Sequence, residues 1–148
     1  MANIVPYSFP VELLKGNHDF VNDTYTISLY TTLATYSTAS TVFSASGEVS
    51  SGGGSQYAAQ ALTGNAVSNV ANYATVDFTP DPVWGSPTPA TLSALGAAIY
   101  NLSDSNKLVV VLDFGATFSC SNGTFTVTFP APTAGTPSGA DALLSINS

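Results

Sequence analysis

Residues 107 to 129 read KLVVVLDFGATFSCSNGTFTVTF. An apolar run comes first, then a Gly step, an Asn-Gly pair and a strict alternation, with Lys107 and Asp113 as the only charges. Leu108, Val110, Leu112 and Phe114 fall on one face of an extended segment and Val109 and Val111 on the other. Such a strand is apolar on both faces and is expected to be central and covered on both sides. Asn122-Gly123 favours a tight turn, after which Phe125, Val127 and Phe129 alternate with Thr124, Thr126 and Thr128 until Pro130 stops the ladder.

Working outward, the same period recurs in DTYTISLYTT, where Tyr25, Ile27 and Leu29 alternate with Thr24, Thr26 and Ser28, the pattern of a half-buried strand. Thr41 to Val49 alternates less cleanly and runs into SSGGGS, a loop composition. AVSNV and YATVDF, separated near Ala71 and Asn72, read as a hairpin with Ala74, Val76 and Phe78 inward. Pro80, Pro82, Pro87 and Pro89 make the stretch around Trp84 an irregular connection. Residues 90 to 102 balance helix propensity against a strand end, and Gly96 to Leu102 reads as a strand pairing with the 107 run across Ser103 to Asn106. The one helix expected is VELLK, residues 11 to 15, with Pro10 at its start and Gly16 at its end. After Pro130 a Pro/Gly/Ser linker leads to a short strand, Ala142 to Ile146.

These elements predict an all-β fold, an antiparallel β-sandwich or jelly roll with one short N-terminal helix. A chain of 148 residues is the size of one domain, residues 1–148, with an N-terminal arm (1–9) and a C-terminal linker and strand (130–148).

Charged residues make up 7% of the chain, and the formal charge is −7 with Lys15 and Lys107 the only basic side chains and no Arg. Nucleic acid is excluded as a partner because phosphate contacts need clustered cations, and an anionic membrane surface is disfavoured for the same reason. A neutral, hydroxyl-rich surface loses little on desolvation and suits packing against protein. No stretch has the length of a membrane span and the start is not a secretory leader, so synthesis and folding in a host cytoplasm are expected. Cys120, the single cysteine, reads as a small buried hydrophobe.

Catalytic and cofactor motifs are absent, and no enzyme activity, cofactor or metal is expected. Asp19 and Asp23 in NHDFVND offer oxygen ligands to a hard cation, but Asn and Asp in such a run also favour turns through their own backbone. His18 lacks a nucleophile and an orienting partner and reads as structural. Asp77 and Asp81 as a glycosidase pair, or Trp84 with Tyr57 as a sugar platform, are the enzymatic and carbohydrate-binding alternatives; solvated turns and a core cap or protein anchor are the competing readings.

The segments SFPVELLKGNHDF, DTYTISLYTT, GEVSSGGG, QALTG, VDFTPDPVW, AAIYN, VVVLDFG and SNGTFTVTFPAP, in this order from Ser8 to Pro132, resemble a family of small virion proteins of tailed bacteriophages, most like a capsid cement or decoration protein. The chain departs from that pattern at Tyr57-Ala58-Ala59-Gln60 and at Leu95-Gly96. The resemblance implies a β-rich protein on the outer capsid surface, its partners the major capsid protein and other copies of itself as a homotrimer. A tail, neck or fibre component is the alternative from the same particle. The residues assigned to partner contact are Ile4, Val5, Tyr7, Tyr57, Trp84, Leu143, Leu144 and Ile146. The two apolar ends among them are expected to lie on a neighbouring copy or on the shell; the competing expectation is that they complete the chain's own sheets.

Overall fold

A computed structural model describes residues 2–52, 55–70, 73–130 and 143–147. In chain order the elements are α1 (Ser8–Leu14), β1 (Tyr25–Tyr30), β2 (Gln60–Leu62), β3 (Ala66–Val70), β4 (Tyr73–Asp77), β5 (Val83–Trp84), β6 (Ala90–Asn101), β7 (Lys107–Gly123), β8 (Phe125–Thr126) and β9 (Leu144–Asn147). The fold is all-β and antiparallel, with sheets ordered β2-β1-β6-β7, β3-β4-β9 and β5-β8. The two four-stranded sheets of a jelly roll are not seen among the described residues.

The large sheet carries apolar side chains on both faces, and the doubly covered strand is β1. All six of its residues are buried, Thr26 and Ser28 included. On one face Tyr25, Ile27 and Leu29 meet Ala97, Ile99 and Val110 beneath Trp84, Phe78 and Phe125. On the other, Tyr30 meets Ala98, Leu108 and Val111 beneath Ile4, Leu33 and Tyr36. The half-buried expectation for this strand fails because the chain from Leu33 to Phe43 folds back over the second face. A tyrosine pair fastens that cover: the Tyr30 and Tyr36 hydroxyls lie 2.8 Å apart, and Tyr30 Oη donates to the Ser44 carbonyl at 2.6 Å.

β7 is not central. Among the described residues it is the end strand of its sheet, and β6 is the one strand it pairs with. Its first half is nevertheless buried from Leu108 to Val111, because other chain segments cap its outer edge: Ile4 and Val111 exchange two backbone hydrogen bonds of 2.8 Å, and Leu108 N–H donates to the Thr41 carbonyl at 2.9 Å. Halfway along, Ala94 pairs with Phe118 and Gly96 with Asp113, so Phe114 to Thr117 bulge opposite Leu95. Gly115 sits in the bulge at φ +78, a conformation that suits a residue without Cβ.

Asn122-Gly123 does not fold β7 and β8 into a hairpin. β8 pairs instead with β5, Trp84 opposite Phe125 with ring centroids 6.2 Å apart, so the aromatic pair sets this register. The alternation holds, with Phe125, Val127 and Phe129 buried and the three threonines exposed. Residues 90 to 101 are one strand throughout, longer than the stretch from Gly96 that the sequence suggests. The helix begins three residues earlier than expected and ends before Gly16, which takes φ +75. The hairpin of β3 and β4 forms, but Thr75 is buried where Ala74 was expected and Ala74 is exposed. Thr41 to Val49 makes isolated bridges and no strand.

Both ends of the chain return to its own sheets. Ile4 bridges Val111, and β9 pairs antiparallel with β4, Ala74 opposite Ile146. The expectation of terminal arms laid wholly on another molecule is corrected in this respect: unpaired sheet edges lie within reach and take up the backbone groups of both ends.

Candidate interaction surface

Between α1 and the β3-β4-β9 sheet runs an apolar groove of about 410 Å³. Phe9, Pro10 and Leu13 of the helix form one wall with Val5 and Phe20; Val67, Ala74, Val76, Leu144 and Ile146, with Thr75 the one polar residue among them, form the other. Its rim is apolar too. Val5, Val67 and Ile146 are each about half exposed; Tyr7, Val11 and Leu14, on another stripe of the helical segment, are exposed as well, Leu14 at 90%. Contiguous apolar exposure of this kind marks a contact surface, whereas single exposed side chains do not.

A polar knot holds the helical wall in place. Buried His18 sets Nε2 3.2 Å from Glu12 Oε2, with its ring 5.1 Å from that of Phe9. Asn101, fully buried, donates from Nδ2 to the Asn17 carbonyl at 3.1 Å and to Asp23 Oδ2 at 2.7 Å, while its Oδ1 accepts the Ser103 and Asp104 N–H groups. Every strong donor and acceptor of Asn101 is matched, as a buried amide requires.

The other sequence candidates are used inside the fold. Asp19 Oδ1 accepts the Val21 N–H at 2.9 Å and Oδ2 accepts Asn22 Nδ2 at 2.6 Å. The Asn22 side chain, then the Val21 N–H, hold its carboxyl below the usual carboxylate range. With Asp23 serving Asn101 and the Asp19 N–H, NHDFVND is a self-bonded turn. Among the described residues no group of three His, Cys, Asp or Glu side chains is placed to hold a metal. Asp81 Oδ1 accepts the Phe129 N–H at 2.9 Å, and Asp77 lies opposite Ala66 in the hairpin.

Of the eight residues assigned to partner contact, Ile4, Tyr57 and Trp84 are buried in the chain's own core. Trp84 is 1% exposed and donates from Nε1 to the Ala58 carbonyl at 2.7 Å. Tyr57 stacks on it, donates to Glu48 Oε1 at 2.6 Å and accepts the Leu29 N–H at 3.0 Å. Burial, followed by the bond to Glu48, raises the Tyr57 phenol well above its ordinary value. No sugar platform faces solvent there. Val5, Leu144 and Ile146 do come together, in the groove; Tyr7 is exposed and does not line it, and Leu143 is half-buried and packs on the core. Sequence reading missed Phe9, Leu13, Phe20, Val67 and Val76, whose only signal was apolar spacing indistinguishable from that of core.

Comparison with family models, with curated proteins and with solved structures gives no match to this chain.

Proposed function

We propose that this chain is a structural virion protein of a tailed phage that binds the outer capsid surface as a cement, with the groove between α1 and the β3-β4-β9 sheet as its shell contact. The observation that carries the proposal is that groove: contiguous, apolar and open, on a protein with little charge anywhere. The sequence resemblance supplies the particle, and the hydroxyl-rich surface suits dense packing beside other copies. Many weak contacts of this kind, engaged together on a shell, hold firmly where one does not. The major capsid protein and neighbouring copies of the chain, grouped as trimers, are the partners in this reading.

The test is quantitative protein counting on purified particles, followed by refilling of stripped particles with variants. Many copies per particle are expected, against the few of a neck or fibre part, and a low copy number ends the cement reading. Val67→Lys with Ile146→Lys, both at exposed positions, should leave the free protein folded and prevent refilling; normal refilling by that variant removes the groove from the contact.

A further inference from the structure

We propose that the distal half of β7, Thr117 to Ser121, is a docking edge for the same segment of a second copy, the two strands pairing antiparallel about a two-fold axis at Ser119. From Phe114 to Gly123 the outer edge of β7 pairs with no strand among the described residues, and residues 115 to 119 are exposed. Soluble proteins protect such edges with Lys, Pro or a covering segment. Here there is no charge and no Pro from Phe114 to Phe129. The cover that Ile4 and Thr41 give the first half stops at the bulge. Phe118, 54% exposed, flanks an open groove of about 500 Å³ whose other side is the Thr124 to Thr128 segment.

The occupant follows from the pattern of the edge itself. Phe118 lies against Phe114 and shares a strand face with Cys120, which packs toward the core, while Ser119, of the opposite parity, meets Ser93 Oγ at 2.7 Å in an exposed contact. Read in reverse, Thr-Phe-Ser-Cys-Ser keeps that polarity. Antiparallel pairing about Ser119 sets Thr117 against Ser121, Ser119 against Ser119 and Phe118 against Cys120, hydroxyl on hydroxyl and apolar on apolar. A two-fold contact requires such self-complementarity. The two Phe118 rings become diagonal neighbours, within aromatic reach across the new ladder, and each closes over the groove of its own copy. Charge selects the same face: with −7 on each chain, a self-contact favours a surface free of carboxylates, and this segment has none. The contact is compatible with threefold clusters on a shell, where it joins one cluster to the next, but it belongs to the free protein and does not depend on the particle role.

Light scattering of the full chain over a concentration series tests the proposal. A dimer is expected in the wild type. Ser119→Lys sets two like charges face to face and should return the chain to monomer, although it lowers the overall repulsion between copies; Ser46→Lys, the same charge change at an exposed loop, should leave the dimer intact. In a Cys120→Ser background, Ser119→Cys should cross-link to dimer with a short thiol-specific reagent. A wild type that stays monomeric at every soluble concentration, or a dimer that Ser119→Lys does not weaken, overturns the proposal. So does a Ser119→Cys chain that gives no covalent dimer.

Discussion

The two halves of β7 share one strand and differ in almost everything else. From Leu108 to Val111 every residue is buried; from Gly115 to Ser119 every residue is exposed. Composition does not separate them sharply, since Phe114, Phe118 and Cys120 keep the second half apolar in part. What differs is cover. The first half is closed at its edge by Ile4 and Thr41 and on its two faces by separate aromatic clusters, while the second passes a bulge, leaves the edge cover and the second cluster behind, and touches the first cluster through Phe114 and Cys120. The energetic weight of a residue in this protein is therefore set by how many chain segments meet over it.

The comparison breaks most visibly at its heaviest point. Trp84→Ala removes the largest fully buried side chain and should cost about 3–5 kcal/mol in a denaturant titration. A loss within surface range would place Trp84 outside the core. Ile99→Ala, beneath that cluster and fully buried on β6, should cost about 2–5 kcal/mol by the same measurement. Tyr57→Phe leaves the Leu29 N–H and the Glu48 carboxylate without their shared hydroxyl and should cost about 1–3 kcal/mol. Phe118→Ala, measured at a dilution where the chain is monomeric, should stay within about 0.5 kcal/mol. If Phe118→Ala matched Ile99→Ala, the contrast between the halves of β7 would vanish.

The smallest expected effect is a pH slope. Asp19 has a folded pKa below its unfolded one, so the unfolded chain takes up the proton first. Its contribution to stability is present above the ordinary carboxylate range and is lost as pH falls through the folded value. Asp19→Asn should therefore lower stability slightly at neutral pH, where that contribution is present, and flatten the acid limb of a stability-versus-pH curve below about pH 4. An acid limb of unaltered steepness would mean that the turn does not hold its carboxylate as described.

Much of the architecture was legible because period two survives in Tyr25 to Tyr30 and in Phe125 to Phe129, and because AVSNV and YATVDF lie two residues apart in sequence. Sheet neighbours adjacent in sequence were legible, β6 with β7 and β3 with β4, but distant ones were not. Asn122-Gly123 predicts a hairpin locally, yet Trp84 draws Phe125 to β5, a preference that no window around residue 122 contains. β1 looked half-solvated because its cover comes from Leu33, Tyr36 and Phe43, residues in a stretch without strand periodicity. For the interaction surface, Val5, Tyr7, Leu144 and Ile146 stood out as apolar side chains near chain ends. Tyr57 and Trp84 stood out as aromatics in loops, and an aromatic in a loop serves its own core as readily as a partner.

The groove draws its walls from opposite extremes of the sequence: Val5 and Phe9 from the start, Leu144 and Ile146 from the end, with β4 between them. Its completion thus requires β9 to be laid on β4 after both have been made. A chain that has not yet delivered residue 144 holds one wall and, opposite it, only the β3-β4 part of the other, whatever the state of the sheet formed by β1, β6 and β7. Docking through this surface would by construction discriminate molecules in which β9 has closed on β4 from those in which it has not, a form of quality control that needs no chaperone and acts at the moment of incorporation.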